Sequence, residues 1–202
     1  MLKVGVEASD DSAPGGGDTD ERALMARVGA GDAQSFERLV TRHTPMVHRV
    51  AWRMLGDAVE AEDVVQDVFV KMWVNARDWT AAGGGLGGWL RRIATNACLD
   101  RLRRPRFVSD EGLPDRPDEA PQADLAIDAE RRRAAVAASI QALPDRQRAA
   151  IVLTYYEGVS NAEAASILGV GVKALESLLV RARQALTHML ASKGLLAEGA
   201  GE

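Results

Sequence analysis

The 202-residue sequence has little cysteine and few aromatic residues. Its one cysteine, Cys98, excludes an internal disulfide, and no Cys/His cluster has the spacing of a zinc site. Four Trp, two Tyr and three Phe are few for a β-sandwich or barrel, whereas Ala, Leu, Arg and Glu are plentiful and favour helices. We therefore expect an all-α protein that needs no metal and no cofactor.

Long apolar runs are also missing from the sequence. No run reaches the ~18–20 residues that a membrane span requires. The N-terminus has one lysine, several acids and no apolar segment, so it does not fit a signal peptide. Together with the single cysteine, these features predict a cytoplasmic location.

The sequence contains no recognisable catalytic constellation. His43, His48 and His188 are scattered, and none has a Cys, Ser or paired carboxylate at a useful spacing. The glycine-rich stretch 83–88 lacks the following Lys-Ser/Thr of a nucleotide-binding loop. We expect no enzymatic activity and no small-molecule substrate.

Composition and charge divide the chain into segments. Residues 1–19 and 193–202 are predicted to be disordered or tail segments, and residues 20–104 to form a four-helix bundle. Residues 105–128 are rich in proline and acids and predict a flexible acidic linker, which could stretch to roughly 80 Å. Residues 129–192 form a second helical domain. Both helical domains are net basic, which suits binding to a polyanion, although ordinary solvated charge is an alternative.

The most specific motif is a helix-turn-helix within residues 161–181. Ala165 is small where two helices would touch, Gly169 suits the turn, and an apolar stripe follows in the last helix. The opposite face of that helix is polar, as in a recognition helix that enters a DNA groove. Lys173, Glu176 and Ser177 are therefore predicted to read bases, and Arg181 and Arg183 to contact the DNA backbone. A small helical bundle that binds no nucleic acid is the alternative.

A second motif lies in the helix predicted over residues 89–104. Trp89, Arg92, Asn96 and Arg103 fall on one stripe about 60° wide. An aromatic ring beside guanidinium and amide groups suits unpaired bases, because rings stack on bases and arginine neutralises phosphate. Taken alone, the stripe is explained at least as well by a solvated basic helix in which Trp89 is half-buried in the core.

The third motif is the outer face of the helix predicted over residues 57–77. Valines and acids are mixed there, which suits a docking surface for a basic protein, although chance surface valines are an equal alternative. The residues of this face are Val59, Asp63, Gln66, Asp67, Val70 and Val74.

Three runs of the sequence, in order, resemble one family. Residues 57–73, 88–104 and 172–183 are similar to motifs of the bacterial extracytoplasmic-function sigma factors of the sigma-70 family, and the likeness covers about residues 20–190. It implies that residues 20–104 are region 2, which binds core RNA polymerase and the −10 element, and that residues 129–192 are region 4, which binds the −35 element.

The resemblance also implies residue roles and partners. Asp63, Gln66 and Asp67, with Val70 on the same face, would contact the polymerase. Asn96 and the loop before Trp89 would hold a flipped base of the −10 element, with nearby DNA contacted by Arg92, Arg101, Arg103 and Arg104. Promoter DNA, core RNA polymerase and an inhibitory anti-sigma factor, often membrane-bound in this family, would be the partners.

Two other functions fit the same motifs. A conventional helix-turn-helix regulator would use the N-terminal bundle to dimerise and would bind palindromic DNA. A helical adaptor would bind only proteins, and its function would not depend on Lys173 or Arg181.

Overall fold

The computed structural model describes residues 16–81, 84–103 and 124–195, and these residues form helices and no strand. The helices are α1 (Gly16–Gly29), α2 (Ala33–Leu55), α3 (Ala58–Asn75), α4 (Gly85–Arg103), α5 (Asp124–Gln141), α6 (Asp145–Ile151), α7 (Asn161–Leu168) and α8 (Val172–Ser192). A π-helical turn, Val152–Tyr156, continues α6. No helix in these ranges is long and apolar enough to cross a membrane.

The first helical unit is α1–α4, with α2 in contact with the other three helices. Aspartates begin two of these helices: the Asp32 carboxylate accepts the Gln34 and Ser35 backbone N–H groups, and Asp57 accepts that of Glu60. Each cap satisfies amides that have no partner inside the helix. The helices bury one face each against a common core.

The second unit is α5–α8 and contains the expected helix-turn-helix. The Ser160 hydroxyl caps α7, and Gly169 ends it with φ 63°, in the left-handed region that glycine adopts without strain. Ala165 is buried in α7, and Leu175 and Leu179 are buried in α8. The turn thereby sets α8 across α7 with its polar face outward.

The two units pack against each other, which the sequence did not indicate. Helix α4 contacts α7, and α2 contacts α5 and α6, so that buried apolar residues of both units belong to one cluster. The sequence predicts a flexible linker between the units, and such a tether is compatible with their association as well as with their separation. Polar side chains take part in this contact: Gln141 Nε2 donates to the Arg53 carbonyl at 2.8 Å, and Glu157 Oε1 lies 3.3 Å from Arg49 Nε.

Two segment boundaries differ from the sequence prediction. Helix α1 begins at Gly16, inside the predicted tail, and α5 begins at Asp124, inside the predicted linker. Alanines, isoleucine and arginines after Asp124 are compatible with helix, and the acids there lie in its first turns, where the helix dipole favours them. The described structure does not include residues 1–15, 82–83, 104–123 and 196–202, and so most of the predicted linker lies outside it.

Candidate nucleic-acid interface

Helix α8 presents all five predicted DNA-binding side chains to solvent. The helix buries Leu175, Leu179 and Ala182, and this stripe fixes which face points outward. The exposed side chains of the opposite faces include Lys173, Glu176, Ser177, Arg181 and Arg183. Their exposed position agrees with the amphipathic pattern, whereas their contacts with DNA remain a prediction.

Hydrogen bonds along α8 orient three of these side chains. The Ser177 hydroxyl donates to the Lys173 carbonyl at 3.0 Å, and its oxygen lone pairs can still accept from a base. The Nε of Arg181 donates to the Ser177 carbonyl at 3.2 Å, and that of Arg183 to the Leu179 carbonyl at 3.3 Å. These bonds lay both guanidinium groups along the exposed sides of the helix.

At the start of α4, two residues of the second motif line a cavity of about 600 Å³. They are Trp89, which is half-buried and packs on the core, and Arg92, which is exposed. The connection between α3 and α4 contributes Asp78, Trp79 and Thr80. The cavity is within the size range of small-ligand sites and combines indole rings with hydrogen-bonding groups. Sequence analysis did not single out Trp79, although an indole next to the glycine-rich stretch was a usable signal.

Helix α7 forms the opposite wall of this cavity. That wall consists of Ala162, Glu163, Ser166 and Ile167, all from the second helical unit. A helix of the predicted −35-binding domain thus lies against a cavity that contains two of the predicted −10-binding residues, Trp89 and Arg92. Sequence analysis could not anticipate this wall, because nothing in the local pattern relates α7 to α4.

The predicted −10 residues do not all gather at this cavity. Asn96 and Arg103 are exposed farther along α4, and neither lines it. Asn96 lies about two turns beyond Trp89, and its contact with a flipped base stays a prediction. Arg104 lies outside the described residues.

Arg101, another predicted DNA contact, is held by acids of α3. It donates to Asp67 at 2.7 Å and to Glu60 at 3.1 Å. Partial burial opposes its charged form, yet the Asp67 hydrogen bond and the two carboxylate charges raise its pKa above the ordinary value. Arg101, a predicted DNA contact, is thus paired with Asp67, a predicted polymerase contact, within this chain.

The outer face of α3 is open along its length. Asp63, Gln66 and Asp67 are exposed, and Val70 is 61% exposed. Val59 and Val74 on the same face are exposed to 71% and 70%. Three such valines on one helix face form an apolar stripe beside acids, as the sequence predicted, and this combination suits a protein surface with basic groups.

Cys98 has no chemical role in these surfaces. It is buried, and burial raises the pKa of its thiol to about 12, which keeps it protonated at neutral pH. Within the described ranges, no three His, Cys, Asp or Glu side chains are grouped so as to hold a metal ion.

Comparisons with known proteins match both helical units. The family model for Sigma-70 region 2 matches residues 39–107, and that for Sigma-70, region 4 matches residues 133–186. The chain is 36% identical over 161 residues to the ECF RNA polymerase sigma factor SigE of Mycolicibacterium smegmatis, covering 78% of this chain and 62% of that protein. It is 35% identical over 175 residues to SigM of Mycobacterium tuberculosis, covering 85% of each.

A solved structure shares the fold. The structure of CnrH in complex with the cytosolic domain of CnrY matches with a TM-score of 0.62 and 31% identity, over 86% of this chain and 98% of that one. CnrH of Cupriavidus metallidurans is named as an RNA polymerase sigma factor. Sequence motifs, fold and relatives therefore agree: the chain belongs to the extracytoplasmic-function sigma factors of the sigma-70 family.

Proposed function

We propose that this sigma factor uses three separate surfaces to start transcription: the outer face of α3 for core RNA polymerase, α8 for the −35 element, and the cavity at the start of α4 for the −10 element. The observation that best supports this assignment is that all three surfaces occur in one chain. A basic recognition helix, an indole-lined cavity beside arginine, and an exposed stripe of valines and acids each suit a different partner.

At the −35 element, α8 enters the major groove with its N-terminal turns against the base edges. Lys173 donates to purine acceptors, Glu176 accepts from the cytosine amino group, and Ser177 pairs with several bases. Arg181 and Arg183 hold phosphates and set the register.

At the −10 element, the cavity accepts a base that has left the stack. Trp79 and Trp89 offer indole rings, and stacking contributes ~1–3 kcal/mol per base. Arg92 lies beside them and neutralises a neighbouring phosphate. Holding the flipped base offsets part of the cost of unpairing, so that the site favours melted over duplex DNA. Farther along α4, Asn96 holds a flipped base, as the resemblance implies, and Arg101 and Arg103 contact nearby DNA together with Arg104, which follows them in the sequence.

The two DNA-binding units act together through the tether and the polymerase. Each unit alone binds weakly, but once one is engaged the other is present at a high effective concentration. The polymerase, docked on α3, fixes the distance between them. The chemistry of RNA synthesis belongs to the polymerase, and this chain contributes recognition and melting in the cytoplasm, where promoter DNA lies.

A protein inhibitor fits the same assignment. The structure of CnrH contains the cytosolic domain of CnrY as its partner. By this likeness we propose that an anti-sigma factor, which could itself be anchored in the membrane, keeps this chain from the polymerase until a signal releases it.

Run-off transcription tests the proposed function. Sigma-free core polymerase is combined with the purified chain on a library of genomic promoters, and we expect transcripts from a subset of them. Lys173→Ala with Arg181→Ala removes a base contact and a phosphate contact and lowers transcription from those promoters by at least about tenfold. Thr187→Ala, exposed nearer the end of α8, is the matched control and leaves transcription unchanged.

The outcome of this experiment distinguishes a sigma factor from a conventional helix-turn-helix regulator. A folded chain that yields no transcript contradicts the sigma assignment. A symmetric dimer that binds palindromic DNA without polymerase would instead support a conventional regulator.

A further inference from the structure

A second cavity, of about 380 Å³, lies on the first helical unit beside the cavity proposed for the −10 base. Its walls come from Arg22 and Ala26 of α1 and from residues 76, 77 and 79–81, which connect α3 to α4. All of its lining residues belong to the first unit. The three surfaces of the proposed function leave α1 without a role, and this cavity is where α1 meets the connection before the melting helix.

The two cavities adjoin at Trp79 and Thr80, which line both of them. The indole Nε1 of Trp79 is buried and has no acceptor among the described residues. A buried N–H group without an acceptor is unfavourable, so a ligand oxygen at this boundary would stabilise the site. A strand whose base enters the first cavity therefore passes next to the second.

The second cavity is lined by positive charge and small side chains. Arg22 and Arg77 are exposed, and none of the lining residues is acidic. Asp78, which follows Arg77, lines the first cavity instead. Guanidinium groups match the oxygens of a phosphate with parallel N–H donors, and Thr80 adds a hydroxyl. This cavity thus fits an anion that carries several oxygens.

Ion pairs attach the start of α1 to α2. Asp20 Oδ2 accepts from Arg42 Nη2 at 3.0 Å, and Glu21 Oε1 lies 3.0 Å from His43 Nε2. Both contacts come from the turn of α1 that carries Arg22, and they engage the two carboxylates that precede it. The guanidinium of Arg22 is therefore carried by a backbone that is held in place.

The end of α1 is attached to Arg77. The Arg77 Nε donates to the Gly29 carbonyl at 2.9 Å, which leaves the terminal Nη groups for another acceptor. A Cβ on Gly29 would lie only 3.2 Å from the backbone nitrogen and Cα of Arg77, so glycine permits this close approach. The second cavity therefore lies between segments that fixed contacts hold together.

We propose that the second cavity binds the backbone phosphate next to the base held in the first cavity, with Arg22 and Arg77 as its contacts. Helix α1 then takes part in holding the melted strand. This inference rests on the proposed function, because the strand reaches the second cavity from the first. Proteins that bind single strands place bases on aromatic rings and the backbone along positive groups, and the two cavities offer these side by side. A phosphate contact adds affinity without selecting a base.

Holoenzyme assembled from core polymerase and the full chain tests this contact. It is titrated at several salt concentrations with promoter DNA whose −10 region is unpaired. For Arg22→Gln with Arg77→Gln we expect about tenfold weaker binding, and a slope of log affinity against log salt that is smaller by about 0.7, the value for one phosphate of a single strand. Arg38→Gln with Arg132→Gln removes the same charge from other exposed sites and should change neither quantity.

A single variant keeps the test independent of folding. Arg22→Gln alone retains the bond between Arg77 and Gly29, and we expect it to bind the same DNA about threefold more weakly than the parent does. An Arg22→Gln holoenzyme with the affinity of the parent overturns the proposal, and so does an unchanged salt slope in the double variant.

Neutral methylphosphonate linkages locate the contact on the strand. Each phosphate within two nucleotides of the flipped base is replaced in turn. We expect one replacement to weaken binding of the parent about tenfold and to leave the affinity of the Arg22→Gln, Arg77→Gln variant unchanged, because that variant has already lost the contact. Dependence on position identifies the strand, not a free anion, as the source of the phosphate. Equal sensitivity of parent and variant to every replacement contradicts the assignment.

Run-off transcription by the parent holoenzyme separates this inference from the proposed function. If the parent initiates transcription but loses no affinity with any methylphosphonate, the second cavity does not bind the strand and the proposed function stands. If the parent initiates no transcription, the proposed function fails, and the inference that rests on it fails as well.

Discussion

At the residue scale, Arg148 makes the densest set of polar contacts in the described structure around one side chain. It is 6% exposed and donates to main-chain carbonyls of Met54, Gln141 and Leu143 and to the Gln141 side-chain amide. The guanidinium presents several N–H donors in a fixed plane, which suits several carbonyls at once. The residue is not among the predicted DNA contacts, and sequence analysis did not single it out.

Replacement of Arg148 should therefore destabilise the fold. Arg148→Met retains much of the side-chain volume but leaves buried carbonyls without donors, and we expect the free energy of unfolding to fall by about 3 kcal/mol. Urea denaturation measures it. The exposed Arg132→Met on α5 serves as the control and should change stability by less than about 0.5 kcal/mol. An Arg148→Met protein as stable as the parent would contradict this account.

His43 is a second residue whose surroundings have a measurable consequence. It is 8% exposed, and its Nε2 lies 3.0 Å from Glu21 Oε1, joining α2 to α1. Burial lowers the pKa of His43 below its ordinary value of 6.5, and the Glu21 charge only partly offsets this effect, while Arg42 and Arg91 add to it.

The sign of the resulting pH dependence follows from proton linkage. The unfolded chain takes up the His43 proton at a higher pH than the folded chain does, so stability falls as pH decreases through 6.5 and below. Between pH 7.5 and 5.5 we expect His43→Gln to lose less stability in urea denaturation than the parent. His188→Gln, exposed on α8, should behave like the parent. Identical pH profiles for His43→Gln and the parent would show that His43 does not titrate in this range.

At the scale of one element, substitutions on the outer face of α3 can test polymerase binding without changing the stability of the fold. Asp63 and Val70 are exposed and have no role in the core, whereas Asp67 also holds Arg101. Asp63→Ala with Val70→Ala should thus lower the affinity for core polymerase by about tenfold while leaving the urea midpoint unchanged. Fluorescence anisotropy of labelled protein measures the affinity. Glu37→Ala on α2 is the control, and equal affinity of all three proteins would remove this face from the interface.

The elements were the part of the structure most accessible from the sequence. Three helices begin after the N-caps Asp32, Asp57 and Ser160, and α7 ends at Gly169, as the chemistry of these residues predicts. The apolar stripe of α8 determines which face of that helix is exposed. The weakest predictions were those that depend on distant partners. Helical periodicity places Arg101 on a basic helix, but only the packing of α3 on α4 shows that Glu60 and Asp67 neutralise it.

At the scale of the whole molecule, the local sequence likewise does not predict how the two units are arranged. Composition identifies a tether, and a tether is compatible with both association and separation. The polar groups that join the units include Gln141 and Glu157, single residues at helix ends whose partners Arg53 and Arg49 lie more than eighty positions away in sequence. No local pattern encodes such a pair.

The length of the tether limits how far apart the two units can move. Helix α4 ends at Arg103 and α5 begins at Asp124, so residues 104–123 join the units and span at most roughly 70 Å. Helix α5 adds about 27 Å. This reach is only slightly more than the ~85 Å of DNA axis between elements about 25 base pairs apart. Shortening the tether should therefore prevent simultaneous engagement of both elements before it affects the packing of the two units on each other.

A length series makes this prediction quantitative. Residues 105–123 are replaced by Gly-Ser segments of 19, 14 and 10 residues, so that the predicted DNA contact Arg104 is retained, and run-off transcription from a promoter with both elements is compared with urea stability. We expect the 19-residue replacement to transcribe within about threefold of the parent, because reach and not sequence matters. The 10-residue replacement should lose at least about tenfold, since its ~35 Å cannot bridge the elements even with α5. Stability should vary by less than about 1 kcal/mol, because loop closure depends weakly on length. Full transcription with the shortest tether would mean that the units never separate as far as the two elements require.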